Sequence, residues 1–131
     1  AEPGGNLDRE RLLEEVLAPL RQGQLVSFRR FDCHSLTLLP PVAVAPSPLA
    51  VVEGSYSLHP ELAPMYDITV CLTLSPELQR RRILARNGEE MARRFFERWI
   101  PLEQAYFDAM KPQTRCGFLI EADQLSDEAP L

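Results

Sequence analysis

The sequence has little of what marks several common classes of protein. Its net charge is −5, and it carries a single lysine, Lys111, beside thirteen arginines. This acidic balance argues against a nucleic-acid-binding domain, which needs a basic surface. Three cysteines, at positions 33, 71 and 116, have no CxxC spacing, so we expect neither a zinc site nor a disulfide framework. A reducing, cytoplasmic setting is the default for such cysteine usage.

Long apolar runs and targeting signals are also absent. Four prolines interrupt the most apolar stretch, residues 36–52, which therefore cannot form a membrane helix. The first fifteen residues are charged and contain no apolar stretch, so they do not form a signal peptide. The chain opens as an internal loop would, with Ala1-Glu2-Pro3-Gly4-Gly5-Asn6, and we expect it to be the later part of a longer protein.

The sequence also lacks the common catalytic signatures. GxxxxGK[ST], GxSxG, HExxH and the Rossmann glycine pattern do not occur in the 131 residues. A loop that cradles phosphates is therefore missing from this chain.

What the sequence does contain is typical of one globular α/β domain, spanning 1–131. Apolar periodicity predicts a helix over 9–21, and alternation predicts a strand over 25–31. Residues 38–48 read as a proline-rich connection that includes at most a short strand at 42–44. The uninterrupted apolar runs 49–52, 68–74 and 117–120 are typical of buried parallel strands, which gives a mainly parallel sheet.

Helices are predicted between these strands. Ser75-Pro76-Glu77 combines an N-cap, a first-turn proline and a first-turn acid, so a helix begins there. Asn87-Gly88 should break it. A further helix follows from residue 89, and Pro101 should kink it.

Glu53 is the first candidate for chemistry, because it follows the apolar run 49–52. A carboxylate at the carboxyl end of a buried strand points into the crevice where α/β folds bind ligands. There it would hold Mg²⁺, directly or through water, or act as a general base. The alternative is an ordinary strand-end glutamate in solvent.

A series of arginines is the second candidate. Its members are Arg80, Arg81, Arg82, Arg86, Arg93, Arg94 and Arg98. Since they flank the Asn87-Gly88 break, they would form a mobile lid, residues 80–98, that closes on phosphates. The alternative is a solvated helix face that pairs with neighbouring glutamates.

The third candidate is the segment from Phe31 through Asp32 to His34, at a predicted strand end. Its aromatic ring, acid and imidazole would stack on and hydrogen-bond a flat polar ligand. The alternative is a turn that Asp32 stabilises locally. Asp8 is similarly either a ligand carboxylate or a helix cap.

Taken in order, these pieces resemble the uridine kinase branch of the P-loop kinases, which includes the phosphoribulokinase relatives. The matching stretches are Gly5-Asn6-Leu7-Asp8, Phe31-Asp32, Val51-Val52-Glu53-Gly54-Ser55-Tyr56, Tyr66-Asp67, Arg81-Arg82-Ile83-Leu84-Ala85-Arg86-Asn87 and Trp99-Ile100-Pro101-Leu102-Glu103-Gln104-Ala105-Tyr106. The resemblance covers nearly the whole chain but only the later part of the family's fold.

The resemblance implies a three-layer P-loop kinase fold, incomplete at the N-terminus, and MgATP-dependent phosphorylation of a nucleoside hydroxyl, typically the 5′-hydroxyl of uridine or cytidine. Asp8 resembles the acid that grips the ribose hydroxyls, and Phe31 with Asp32 resembles the pair beside the base. Glu53 resembles the acid near Mg²⁺, while Arg82 and Arg86 resemble lid arginines that touch phosphates.

The sequence departs from the family at several points. His34 follows Phe31 at a shorter spacing than the family's histidine, and the family's lid Arg-Asp is Arg86-Asn87 here. The P-loop and the catalytic aspartate after it should lie before Ala1. Without the family's first strand, we expect unpaired edges and an exposed apolar surface, so these residues should fold poorly or associate.

Two other functions fit the same residues. One is a non-catalytic nucleoside-binding or interaction protein that keeps the pocket without the kinase centre. The other is a kinase for a different small substrate, such as pantothenate or a sugar phosphate.

Overall fold

The structure, a computed structural model, describes residues 2–125 and is mixed α/β. Strand β1, Val26–Asp32, pairs antiparallel with β2, Thr37–Val44. Strand β3, Val70–Thr73, pairs in parallel with β4, Phe118–Glu121. The second and third apolar runs thus form parallel strands, as predicted, but the predicted burial is wrong, because most of their side chains are exposed. Among residues 2–125 there is one parallel and one antiparallel two-stranded sheet rather than one mainly parallel sheet.

An N-terminal helix precedes the hairpin, as predicted. It consists of α1, Arg9–Leu12, a π-helical turn, Leu13–Leu17, and α2, Ala18–Arg21. Asp8 caps its start, since the Asp8 Oδ1 atom accepts the backbone N–H of Arg11 at 3.1 Å.

The long helical segment between β3 and β4 also contains a π-helical turn between two α-helices. It consists of α3, Pro76–Arg94, a π-helical turn, Phe95–Trp99, and α4, Ile100–Met110. The predicted start is confirmed, because the Ser75 hydroxyl accepts the N–H of Leu78 at 3.4 Å. Gly88 interrupts the helix at φ 74° and ψ 171°, where a Cβ would be strained.

Both π-helical turns lie just before a proline. Pro19 and Pro101 are each the second residue after such a turn, and each lacks the N–H that an α-helix would use. The wider turn closes instead through i→i+5 bonds, from Ala18 N–H to Leu13 and from Ile100 N–H to Phe95. The helix thus accommodates the proline ring by widening, and at Pro101 the structure has this π-helical turn where a kink was predicted.

The segment 38–48 differs from its predicted proline-rich connection. Most of it belongs to β2, which carries Pro40 and Pro41. An edge strand tolerates proline where the missing N–H would face solvent, and the register shifts between Arg29 and Phe31 as in a β-bulge. The Arg29 guanidinium donates to the carbonyls of Leu39 at 2.9 Å and Leu38 at 3.0 Å, which satisfies acceptors beside the shift.

The strand predicted at 49–52 is wrong in this structure. These residues have no regular secondary structure, and Leu49 and Val51 are 76% and 79% exposed. An apolar run becomes a strand only when neighbouring strands pair with it on the backbone. Within residues 2–125 the parallel sheet has two strands, and this segment joins neither.

One face of the parallel pair is apolar and exposed. The register sets Val70 beside Phe118 and Leu72 beside Ile120, so these four side chains share a face, here called the open face. Leu72 and Phe118 are 62% and 61% exposed. Parallel strands are usually covered on both faces, so this surface is unusual for such a pair.

The best-buried part of the structure is a cluster around Tyr106, which is fully buried. The Tyr56 ring meets Tyr106 edge-on with centroids 5.0 Å apart, and the buried His59 ring stacks on it at 6.3 Å. Gly4, at φ 80°, lies so close that an added Cβ would come within 3.0 Å of Tyr106. Around His59, residues 55–58 and 60–62 form turns, followed by the 3₁₀ turn Ala63–Met65.

Two further 3₁₀ turns, Pro112–Thr114 and Ala122–Gln124, flank β4. Among residues 2–125, none of the helices combines the length and apolar content that a bilayer-spanning segment requires.

His59 predicts how stability depends on pH. Burial lowers the pKa of His59 below its usual value of about 6.5, and Arg9 and Arg115 lower it further, against Glu61 and Glu2, which raise it. At a pH between the pKa of His59 in the folded chain and its pKa in the unfolded chain, the unfolded chain therefore binds a proton that the folded chain does not. We expect the free energy of unfolding to fall as the pH drops from 7.5 to 5.5.

Urea unfolding at several pH values measures this effect. His59→Gln should flatten the pH dependence, whereas His34→Gln should retain it, because the His34 imidazole is exposed. An equally steep dependence in His59→Gln would contradict the assignment.

The open face predicts self-association. Size-exclusion chromatography should show the chain as an oligomer or aggregate, since exposed apolar patches of this kind drive association. Leu72→Lys should increase the monomer fraction, because a charge at the middle of the face must be desolvated on contact. Leu36→Lys, at a similarly exposed leucine in the hairpin, is the matched control. A clean monomer of the unmodified chain would contradict this prediction.

Candidate functional site

A cavity of about 790 Å³ lies against the helical segment between β3 and β4. Leu74, which directly follows β3, forms part of its wall. Several polar or charged side chains also line it: Gln79, Arg81, Arg82, Arg86 and Glu103. Apolar lining comes from Ile83, Ala85, Phe95 and Ile100. We call this the arginine cavity.

The helix geometry explains why the arginines meet there. Arg82 and Arg86 are four residues apart, so they share one face of α3. Just beyond them, Gly88 breaks the helix, and Phe95 returns to the cavity wall. The Arg86 guanidinium lies 5.8 Å from the centre of the Phe95 ring, and its Nε donates to Asn87 Oδ1 at 2.9 Å. The predicted break therefore lies beside the cavity.

The charge in the cavity favours an anion. Among the described residues, three guanidinium groups and one carboxylate line it. Arginine stays protonated at any physiological pH, and its planar fork of N–H donors matches phosphate and carboxylate oxygens. The described lining therefore carries a net positive charge, which would attract an anion.

The carboxyl ends of both parallel strands are tied together at this edge. Asp123, two residues after β4, accepts the backbone N–H of Ser75 at 2.8 Å. This hydrogen bond, with a smaller contribution from the charge of Arg82, lowers the pKa of Asp123 below its usual value. The start of α3 is thus fixed to the segment that follows β4.

The loop that carries Glu53 is held against α4. The Ser55 hydroxyl donates to a carboxylate oxygen of Glu103, which is itself part of the cavity lining. Next in sequence, Tyr56 contacts Tyr106. Glu53 is exposed and lies two residues before Ser55. The structure thus places the loop that carries Glu53, the first candidate, in contact with a residue that lines the same cavity as the arginines, the second candidate.

The residues predicted to bind the substrate lie on other elements. Asp32 stabilises a turn, since its carboxylate accepts from His34 N–H at 3.0 Å and from the Ser35 hydroxyl at 2.7 Å. These bonds lower the pKa of Asp32, the Ser35 hydroxyl contributing most. Phe31 and His34 are exposed on the same hairpin.

The N-terminal helix that Asp8 caps contacts the hairpin. Arg11 pairs with Glu15, and its guanidinium donates to the Arg29 carbonyl at 2.8 Å, which joins the N-terminal helix to β1. In the part of the chain that the structure describes, the lining of the arginine cavity includes none of Asp8, Phe31, Asp32, His34 and Glu53.

Arg93 is separated from Arg82 and Arg86. It lines a second cavity, of about 460 Å³, together with Arg80 and Phe96. Arg80 stacks over the Phe96 ring, 4.3 Å from its centre. Because Gly88 lies between Arg86 and Arg93, the helical face that carries Arg93 is not continuous with the face of Arg82 and Arg86.

The sequence analysis assigned no role to Ser55 or Glu103. Their contact joins residues 48 positions apart, and no spacing rule connects them.

A magnesium ion fits the described residues only as part of a phosphate complex. Residues 2–125 contain no group of three side chains that would enclose a metal ion. One exposed carboxylate, Glu53, is nevertheless the usual protein contribution when phosphate oxygens supply other ligands. Glu53 would therefore take part in holding Mg²⁺ that arrives with a phosphate ligand, rather than binding the free ion.

No protein-family model matches the chain, and no curated protein matches it.

The two cavities give a matched test of anion binding. We expect pyrophosphate to bind the chain, and Arg86→Ala to weaken this binding by roughly tenfold, since a hydrogen bond to a charged group contributes about 1.5–3 kcal/mol. Arg93→Ala removes the same charge from the second cavity and should change the affinity by less than about twofold. Isothermal titration calorimetry measures both. Equal losses in the two variants would show general charge attraction and contradict a site at Arg86.

Proposed function

We propose that this chain is the substrate-facing and lid part of a phosphotransferase that resembles the uridine kinase branch of the P-loop kinases. The complete protein would transfer the γ-phosphoryl group of MgATP to the hydroxyl of a nucleoside or a similar small molecule. The observation that carries the proposal is the arginine cavity, together with the Glu53 loop held against its wall.

Phosphoryl transfer depends on positioning and on neutralising charge rather than on covalent chemistry by the protein. Arg82 and Arg86 would donate to the phosphate oxygens as negative charge moves between them. When bound, Mg²⁺ bridges and neutralises the phosphates, and Glu53 would help to hold it. Gly88 gives the lid a point of rotation close to those arginines.

The nucleoside would bind nearer the hairpin. Asp8 would accept hydrogen bonds from the ribose hydroxyls, while Phe31, with Asp32 and His34 beside it, would offer a ring face and polar atoms to a base. Both carboxylates cap a local backbone turn, which leaves a second oxygen on Asp8 for a ligand. This assignment rests on the resemblance and on the exposure of Phe31.

The three-layer P-loop fold is also part of the proposal. Its first strand and phosphate-binding loop would come from sequence outside these residues. Two findings support this: the parallel pair has an exposed apolar face, and among residues 2–125 the apolar segment 49–52 pairs with no strand. An additional parallel strand beside β3 would give a backbone partner to one edge of the pair, and a helical layer of the complete fold would cover the open face, because parallel sheets are normally buried on both faces.

The test is an ATP-consumption assay on the product of the complete reading frame that contains these residues. Uridine, cytidine, pantothenate and several sugar phosphates would serve as candidate acceptors. We expect turnover with a nucleoside and a loss of at least about a hundredfold in Glu53→Gln, which keeps the shape of the side chain and removes its charge.

Glu61→Gln is a suitable control, because this carboxylate pairs with Arg9 away from the cavity. No turnover with any acceptor, combined with nucleoside binding that depends on Asp8, would contradict the kinase and support a non-catalytic binding protein.

A further inference from the structure

Glu103 stands at the junction of the Glu53 loop and the arginine cavity. Its carboxylate accepts the Ser55 hydroxyl, and the same side chain lines the cavity beside Arg82 and Arg86. A hydrogen bond to an ionised carboxylate is stronger than one between neutral groups, so this contact restrains Ser55 relative to Glu103. Neither the charge pattern nor the resemblance assigns a role to this residue.

A second contact makes the attachment of the loop specific. Tyr106 lies three residues after Glu103 and so on the same face of α4. Tyr56, the neighbour of Ser55, meets Tyr106 with ring planes at 81°. Two successive loop residues are therefore held by two successive turns of one helix, through a hydrogen bond and an aromatic contact.

The loop itself is closed by local hydrogen bonds. Both the N–H and the hydroxyl of Ser57 donate to the Gly54 carbonyl, at 3.1 and 2.9 Å. The N–H of His59 donates to the Tyr56 carbonyl at 3.1 Å. These bonds order residues 54–59, and Glu53 lies directly before that segment.

We propose that Glu103 is a positioning residue, which holds Ser55 and thereby keeps the loop that carries Glu53 against the wall of the arginine cavity, within reach of Mg²⁺ that arrives with phosphates. Its own negative charge also limits the affinity of the cavity for an anion that arrives without Mg²⁺. This inference rests on the proposed function, because it assigns Glu53 to the metal that accompanies the phosphates.

Pyrophosphate titrations with and without Mg²⁺ test the inference without any turnover. The single tryptophan, Trp99, is a natural reporter, since its ring meets the cavity residue Phe95 with centroids 4.5 Å apart. We expect Mg²⁺ to increase the affinity for pyrophosphate, and Glu53→Gln to abolish this increase while leaving Mg²⁺-free binding nearly unchanged.

Variants of Ser55 and Glu103 should then separate the effect of their hydrogen bond from the effect of the Glu103 charge. Ser55→Ala and Glu103→Ala should each reduce the Mg²⁺-dependent increase by roughly fivefold to tenfold. The double variant should be no worse than either single one, since both remove the same hydrogen bond. Glu103→Gln keeps an acceptor for Ser55, so it should retain the increase and bind Mg²⁺-free pyrophosphate about fivefold more tightly. Glu97→Gln, at the second cavity, should leave both affinities unchanged.

The outcomes distinguish the two proposals. If Glu53→Gln abolishes the Mg²⁺ effect but Ser55→Ala and Glu103→Ala retain it, the positioning role is overturned and the phosphate site stands. Additive losses in the double variant would likewise overturn it. If the unmodified chain binds no pyrophosphate, the phosphate site itself is overturned. If it binds pyrophosphate without any Mg²⁺ effect, the phosphate site stands, but the assignment of Glu53 to the metal is overturned, and the role of Glu103 with it.

Discussion

The parallel pairing of β3 with β4 is the constraint from which the rest of the site follows. Because the two strands run in the same direction, the chain must return along the sheet between them, and it does so through α3 and α4. Their carboxyl ends then meet at one edge, where Asp123 accepts the N–H of Ser75. That bond fixes the first turn of α3, and the helical period places the arginines relative to it.

Local signals were readable from the sequence because their causes are local. Ser75 caps a helix since its own hydroxyl reaches the next turn, and Gly88 breaks the helix since its backbone adopts a positive φ. The two later apolar runs were also recognisable as parallel strands, because a parallel strand is apolar along its length, although most of their side chains are exposed here. From the sequence, Asp8 and Asp32 could each be a ligand carboxylate or a group that stabilises a local turn. In the structure, both carboxylates accept backbone N–H groups of their own turns.

Non-local features could not be predicted in the same way. The run 49–52 has the composition of a strand, but a strand exists only through bonds to another one, and within residues 2–125 none pairs with it. Likewise, Ser55 and Glu103 carry no signal in their spacing, because their contact depends on how the loop and α4 are placed. Arg93 belongs to the same series of arginines as Arg86, but it lies beyond the break at Gly88 and lines another cavity.

Tyr106 connects the two regions of the proposed site. It contacts Tyr56, three residues after Glu53, and lies against Gly4, four residues before Asp8. The ion pairs between these regions and their surroundings, such as Arg9 with Glu61, lie at the surface, where such pairs contribute little. A buried aromatic pair contributes about 0.5–1.5 kcal/mol beyond the burial of its area, and a Cβ at Gly4 would clash with the ring. The relative placement of the Asp8 and Glu53 segments therefore depends on the packing around this one tyrosine more than on the charges nearby.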